Sequence, residues 1–588
     1  MRFKSRQSKP FQVFAVSGIN TISFGIKADE NAKKGLLGFA VERIDPVADE
    51  RYTMPGFKVF RSLIPKPTED THVSTWDHPI QSLVWDDFTA KPDHEYEYVF
   101  HPLKGKPKNI DRSAKPVSIR VKTEPLFTNG SGKHDVFFNR GVASSQAYRR
   151  KFGTQTLQKL TPEKREEALK WLTRDLKTAA LRFIDSAKKG DKLRGCFYEF
   201  RYEPIAQALK NAIDRGVDVQ LVIDGKVNAQ SFPREDNLKM LKQVGIPKKN
   251  YTLREAKPNN IQHNKFMVLL RKGKGQPEVW TGSTNISEGG FTGQTNVGHW
   301  VRDNDIAKQY LAYWELMKTD PGAQAGFDRS ESIKANKALH QAVAKLHDVP
   351  TVIEKINNGS VSVFSPRAGS DMLDLYVRLV DSGKSCCCIT LAFGINDNFK
   401  QELLDNTDLS HIVFMLLEKP DVQNPRSTKP FVKIGVANNV YQAWGSFLDD
   451  PVYQWARETT TRQLQLNQHV AYIHSKFLLM DPLGDDPIVV TGSANFSKAS
   501  TNDNDENMLI IRGDQRVADI YFTEFNRLFN HYYFRSVVES LKKQGHEISS
   551  DGSLFLDETD GWLQKYKPKT LRAKRLNLYT GMDGAKAM

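Results

Sequence analysis

Short apolar runs closed by charged or turn-forming residues recur along the chain and predict strands. Residues 266–270 end at Arg271-Lys272-Gly273 and residues 477–480 at Asp481-Pro482, while 279–281 and 488–491 read as their returning strands. Between these runs the apolar period changes from two to that of a helix. Thr161-Pro162 supplies an N-cap and an N1 proline. Trp171, Leu172, Leu176, Ala179, Ala180, Phe183 and Ile184 then recur at helical spacing up to Lys188-Lys189-Gly190. Residues 204–215 predict a second helix and 217–223 a strand. After Ser370, the residues Leu373, Tyr376, Val377 and Val380 share one helical face that closes at Gly383. Alternating helix and strand predicts an α/β layer in each of two halves. The linking helix carries Ala335, Leu339, Val343 and Leu346. The first 124 residues alternate strictly instead, at 11–16, 38–44, 96–100 and 117–121, and predict a β-sandwich with Trp85 and Tyr98 in its core. The expected organisation is a sandwich over 1–124, one half over 125–325, a connector helix over 326–345, a second half over 346–540 and a basic C-terminal tail over 541–588.

The two halves repeat a chemical pattern. His263-Asn264-Lys265 is followed by Gly282-Ser283-Thr284-Asn285, and His474-Ser475-Lys476 by Asp481 and then Gly492-Ser493-Ala494-Asn495. His and motif Asn lie 22 positions apart in the first copy (263 to 285) and 21 in the second (474 to 495). Residues i and i+2 of a strand share a face, so each His lies beside its Lys. Each glycine permits close backbone approach to a ligand, and Ser and Asn add hydrogen-bonding groups. Together the halves offer two imidazoles and two ammoniums to a single phosphate. A lone histidine on a strand is ordinarily core; two matched units are not. Helix ends repeat at an offset of 196 (184 to 380) and histidines at 211 (263 to 474), which places about fifteen added loop residues in the second half.

With these tandem H-x-K and G-S-x-N motifs, residues 137–534 resemble the phospholipase D superfamily in two halves related by pseudo-two-fold symmetry. The resemblance implies metal-independent phosphodiester chemistry without a cofactor, one His as nucleophile through a phosphohistidine and the other as general acid and then base. Lys265, Lys476, Asn285 and Asn495 hold phosphate oxygens, with Ser283 and Ser493 assisting. The position eleven residues past each motif Asn carries the group that bonds a histidine Nδ1: Asn296 in the first copy and Glu506 in the second. Tyrosyl-DNA phosphodiesterases similarly pair one His with an amide and the other with a carboxylate. A carboxylate raises the pKa of a His and an amide does not. His263, backed by Asn296, is therefore expected to be the nucleophile, and His474, backed by Glu506, the acid. Leu270 stands where the counterpart of Asp481, a supporting residue, is expected. The stretch 85–99 resembles fibronectin type III sequence.

Composition narrows the picture further. A hydrophobic fraction of 39% suffices for several cores, and a net charge of +15 points to a polyanionic partner, nucleic acid or an anionic membrane surface. Basic clusters at Arg271-Lys272-Gly273-Lys274, at Lys248-Lys249 and at Lys565-Tyr566-Lys567-Pro568-Lys569 with Arg572, Lys574 and Arg575 favour DNA or RNA. A nuclease-type phosphodiesterase is the leading reading. A soluble phospholipase D that cleaves or transfers head groups is the alternative, and a nucleic-acid-binding protein with a decayed site the second. The sequence names no protein partner for the N-terminal domain. The basic start lacks a following apolar core, and no stretch reaches the roughly 18 to 20 apolar residues of a transmembrane helix, which implies a cytoplasmic protein. Cys196 and the adjacent Cys386, Cys387 and Cys388 fit neither a disulfide framework nor a zinc site.

Overall fold

The structure is a computed structural model of the 588-residue chain. It describes all residues except 57, 68–70, 142–145, 228–231, 257–259, 408–409, 424, 426–427, 429, 447–469 and 544–554.

Two seven-stranded sheets share one strand order. The first runs His134–Phe138, Val297–Val301, Glu278–Gly282, Lys265–Leu270, Lys192–Phe197, Asp218–Asp224 and Tyr251–Arg254. The second runs Gly359–Ser365, Glu506–Arg512, Ile488–Gly492, Phe477–Met480, Cys386–Leu391, Ile412–Leu417 and Val440–Trp444. In each, the last three strands are parallel and the rest antiparallel. The strand carrying H-x-K thus starts where the parallel strands end. The expected helices form: Pro162–Asp185, capped by the Thr161 hydroxyl, Glu203–Asp214 and Asp371–Asp381. The connector helix spans Arg329–Ala344 and buries Leu339 and Val343. The added loop of the second half falls between Trp444 and His474, mostly outside the described residues.

The halves meet through a continuous apolar core. Each sheet's closing helix also packs on the opposite sheet. From Asn304–Lys318, Tyr313 stacks on Phe364 at 4.4 Å; from Gln515–Lys543, Tyr521 meets Phe138 edge-on at 5.3 Å. A buried ion pair crosses the same boundary. Arg254 Nε donates to Asp505 Oδ2 at 2.9 Å and its Nη1 to Asp320 at 2.7 Å. Removing one partner of a buried pair leaves an uncompensated charge. Arg254→Met is expected to cost about 3–5 kcal/mol, read as a lowered midpoint in denaturant unfolding; an unchanged midpoint contradicts this.

The N-terminal region is β-rich. One sheet orders Lys586–Ala587, Arg2–Lys4, Phe11–Ser17, Ile22–Ala28 and Val84–Asp87. A second is built on Glu95–Lys106 and Leu36–Asp45. Tyr98 is buried in the shared core and Trp85 packs on it half-buried, stacked on Phe24.

The C-terminal residues correct one expectation. Residues 555–588 are not a solvated basic tail, although 544–554 lie outside the described residues. Phe555–Leu556 pairs with Val59–Phe60, and Lys586–Ala587 runs parallel to Arg2–Lys4. Trp562 is buried in the β-rich core, its indole N–H donating to Leu36 O at 2.8 Å. Of the basic cluster, Lys574 is buried against Asn439, Arg575 donates to Asn530, and the Tyr566 hydroxyl accepts from Leu83 N. Apolar Trp562, Leu578 and Tyr579, interleaved with the cations, drive this segment onto the protein.

Candidate active site

His263 and His474 sit at the starts of Lys265–Leu270 and Phe477–Met480, which bring both H-x-K motifs to the boundary between the sheets. Both histidines and both lysines are at least 95% buried. Each lysine ammonium donates to the carbonyl of its own motif histidine. Burial first, then both lysines, hold each imidazole well below its usual range. The charge of either lysine is thus felt by both histidines, so the four groups converge. Tyr198 walls the first copy, its ring 5.2 Å from His263 and under the Lys265 ammonium.

The support of the imidazoles crosses between the halves, which corrects the expected pairing. His263 Nδ1 lies 2.9 Å from Glu506 Oε2, and His474 Nδ1 lies 3.0 Å from Asn296 Oδ1. Two backbone links explain the crossing. The His263 N–H donates to Asp505 O at 2.9 Å, and the Thr295 N–H to Tyr472 O at 2.7 Å. They dock the start of each sheet's Glu506- or Asn296-bearing strand on the other sheet's motif histidine. The Asn296 amide is oriented by its own donors: Nδ2 donates to Gly290 O at 2.8 Å, and the Ser283 hydroxyl donates to Oδ1 at 2.8 Å. An oxygen faces His474, so its Nδ1 carries the proton. Ser493 donates to Glu506 Oε2 at 2.7 Å in the equivalent way. The motif serines thus touch the supports of the histidines.

Burial pushes Glu506 up to about 8, and Lys265 draws it back. Burial also draws Lys265 down to about 8 against the opposing charge of Glu506. Lys476 falls well below its usual range through burial and then through Lys265.

Asn285 and Asn495 are in place at the turns after Glu278–Gly282 and Ile488–Gly492. Asn285 Nδ2 donates to Glu199 Oε1 at 3.0 Å. The Oδ1 atoms of both asparagines are buried without a partner among the described residues. The motif glycines approach backbone, where a ligand was expected. A Cβ on Gly282 would collide with Val297 O, and one on Gly492 with Asn507 O.

Asp481 is not brought into the site. It lies at the far end of Phe477–Met480, where its carboxylate accepts from the backbone N–H groups of Lys384, Ser385 and Cys386. Around Leu270, Asp191 does the corresponding work, accepting from Lys188 N and Lys272 N. Arg271-Lys272-Gly273-Lys274 likewise sits at the end of Lys265–Leu270 remote from His263, about 20 Å along the strand, and Arg271 is engaged by Asp191 and Glu278. Lys248-Lys249 precedes Tyr251–Arg254, again at that far end. These clusters do not border the imidazoles.

Sequence reasoning missed four positioning groups. Asp224 accepts from Gln262 N at 3.0 Å, and Glu418 from Ile473 N at 2.7 Å, each fixing the backbone just before a motif histidine. Thr295 Oγ1 accepts from His474 N at 3.2 Å. Glu199 anchors Asn285. An acidic residue closing the second parallel strand of both halves was a usable signal for the first two. Thr295 and Glu199 had no counterpart to reveal them.

Residues 180–318 and 383–529 match a family model described as cardiolipin synthase, PLD-like domain. No curated protein matches the sequence. Among solved structures, the chain is similar to a phosphatidylserine synthase from Haemophilus influenzae Rd KW20, at 12% identity over 69% of this chain and 93% of that one, with a TM-score of 0.42. It is also similar to a polyphosphate kinase from Porphyromonas gingivalis, at 11% identity over 58% of this chain and a TM-score of 0.34; the chain spans 46% of that protein. A phospholipase D family member, Nuc from Salmonella typhimurium, aligns at 28% identity over 24% of this chain and 86% of its own, with a TM-score of 0.20.

Proposed function

We propose, from the premise that two phospholipase D-like domains make this chain a phosphodiester-acting enzyme, that it hydrolyses a phosphodiester without metal through a phosphohistidine on His263. The convergence of two imidazoles with unlike Nδ1 partners carries this reading. As His263 Nε2 attacks phosphorus, positive charge grows on its ring, and the Glu506 carboxylate at Nδ1 stabilises that charge. The ground first given for His263, a neutral amide behind the nucleophile, is replaced by this one. His474, held by Asn296, gives its Nε2 proton to the departing alkoxide. The anionic substrate supplies the charge that keeps His474 protonated among two lysines. His474 then takes a proton from water, whose oxygen attacks phosphorus and breaks the N–P bond, so the products are an alcohol and a phosphate monoester. Lys265, Lys476, Asn285 and Asn495 hold the phosphoryl oxygens.

The pH profile of kcat/KM tests the charge assignments, because it reports the free enzyme. Glu506, pushed up to about 8, is charged only above that pH, and Lys265, drawn down to about 8, only below it. A narrow maximum near pH 8 is expected. Glu506→Gln should remove its acid limb, and Lys265→Arg should move its alkaline limb upward. A flat profile from about pH 6 to 10 would exclude this pairing.

For the substrate we propose a nucleic-acid phosphodiester, on the net charge of +15. One observation favours phospholipid head groups instead: Val227 and Phe393, just beyond strand ends on the catalytic side, are 70% and 68% exposed. Among the described residues no helix is long and apolar enough to cross a membrane. A panel in chelator of single- and double-stranded DNA, RNA and phosphatidylcholine vesicles decides. Nucleic-acid binding should weaken by orders of magnitude over a roughly fourfold rise in salt. Head-group release without nucleic-acid affinity would overturn the substrate reading, and activity restored only by a divalent ion the metal-independent one. The β-rich domain, read as a fibronectin type III-like sandwich, is assigned to partner or substrate binding.

A further inference from the structure

Behind the Asn296 wall of the site, three guanidiniums gather round one buried carboxylate where the β-rich region meets both halves. Glu524, on Gln515–Lys543, is 3% exposed. Arg174 Nη1 lies 3.0 Å from its Oε1, and Arg527 Nε donates to its Oε2 at 2.8 Å. Thr21, from the β-rich region, donates to Oε1 at 3.4 Å. Arg140 flanks the group. Its Nε donates to Trp171 O at 3.0 Å and its guanidinium lies 4.4 Å over the Trp171 ring. A second carboxylate, Asp175, is 3.8 Å from Arg174 Nε and is held by Asn20 Nδ2 at 2.8 Å.

Three cations thus face two anions, and Arg527 Nη2 is buried with no partner among the described residues. Buried cations without full compensation are costly. The excess is felt by Arg140, which burial and then Arg174 and Arg527 draw down to about 10. Arg174 also interrupts its own helix with a φ of 45° and a ψ of −123°. That strained conformation for a side-chain-bearing residue is held by Glu524 and by Phe138 O, which accepts from Arg174 Nε at 3.1 Å. Strain of this kind clusters where ligands are clamped.

We propose that Arg140, Arg174 and Arg527 bind a small tetrahedral oxyanion of the phosphate class, separate from the catalytic pair, which ties the β-rich region to both halves. Guanidinium forks match phosphate oxygens in pairs. The burial of Arg174 and Arg527 admits only a small anion, with half-buried Arg140 as its outer ligand. The site lies close to the chemistry: Asn139, next to Arg140, accepts from Asn296 N at 2.9 Å, and Asn296 holds His474.

Calorimetric titration of the full chain with inorganic phosphate tests this. Lys265→Met and Lys476→Met are introduced together to silence the catalytic anion site. One equivalent is expected to bind in that background, and Arg140→Gln should weaken binding by at least about tenfold, the loss of one charge-assisted contact. Arg527→Gln should weaken it as well, but it also strips Glu524 of a partner and risks the fold. Arg140→Gln touches neither carboxylate and is the decisive variant. Absence of binding in the silenced background, or affinity unchanged by Arg140→Gln, overturns the proposal. Arg140→Gln weakening a short oligonucleotide while leaving free phosphate untouched would assign the cluster to the substrate and overturn it equally. None of these outcomes depends on hydrolysis, which is scored separately in the unsilenced enzyme.

Discussion

His263→Ala is expected to abolish turnover, with a fall in kcat of about four orders of magnitude or more, because it removes the atom that bonds to phosphorus. His474→Ala should cost roughly 10² to 10⁴ on substrates with poor leaving groups, the span of a lost general acid. The two variants differ in kind. An aryl diester with an activated leaving group departs without a proton, so His474→Ala should still form the phosphoenzyme and then stall, since no base remains to activate water. His263→Ala should form none. Groups acting as a unit are non-additive, and the double variant should be no worse than His263→Ala alone. Both residues lie at strand starts, so unchanged thermal unfolding serves as the control for fold. Near-wild-type rates in either variant would exclude a single site shared by the two halves.

The second large effect tests the crossed support. Glu506→Gln preserves the shape at His263 Nδ1 but removes the charge that balances the growing phosphoimidazolium. Phosphoenzyme formation should slow by about 10² to 10⁴, the scale at which an orienting carboxylate behind an imidazole acts. The loss should appear even with activated leaving groups, because it falls on the nucleophile. Had Glu506 supported the acid, such substrates would have been spared. Asn296→Asp is the converse. A carboxylate at His474 Nδ1 raises its pKa, so the acid keeps its proton to higher pH. The alkaline limb measured with poor leaving groups should move up. Trapping the intermediate under acid-free conditions and mapping it by mass spectrometry locates the phosphate. Phosphate on His474 would reverse the assignment of roles while leaving the shared site standing.

How much of this was legible in the chain differs by element. Phe266, Val268, Phe477 and Leu479 announce buried strands, because alternation and turn chemistry are local properties. The duplicated spacing of His263, Lys265 and Asn285 against His474, Lys476 and Asn495 needed no structure, since one strand–turn unit fixes it within about twenty residues. The cluster Lys565 to Arg575 was read as a solvated tail because its charges are visible in sequence and its docking surface is not. Trp562 and Tyr579 outweigh those charges by burying apolar area against partners near the other end of the chain.

The sequence by itself determined the two halves, their strands and the reactive side chains. Only the tertiary structure decided which support serves which histidine. His263 and Glu506 are 243 residues apart, and His474 and Asn296 are 178 apart. No periodicity reaches that far. Their pairing follows from Asp505 and Thr295 docking backbone to backbone across the boundary between the sheets, while Arg254 closes a buried ion pair on Asp505. Local sequence sets what each residue can do; the long-range packing of two repeated sheets sets whom it does it with.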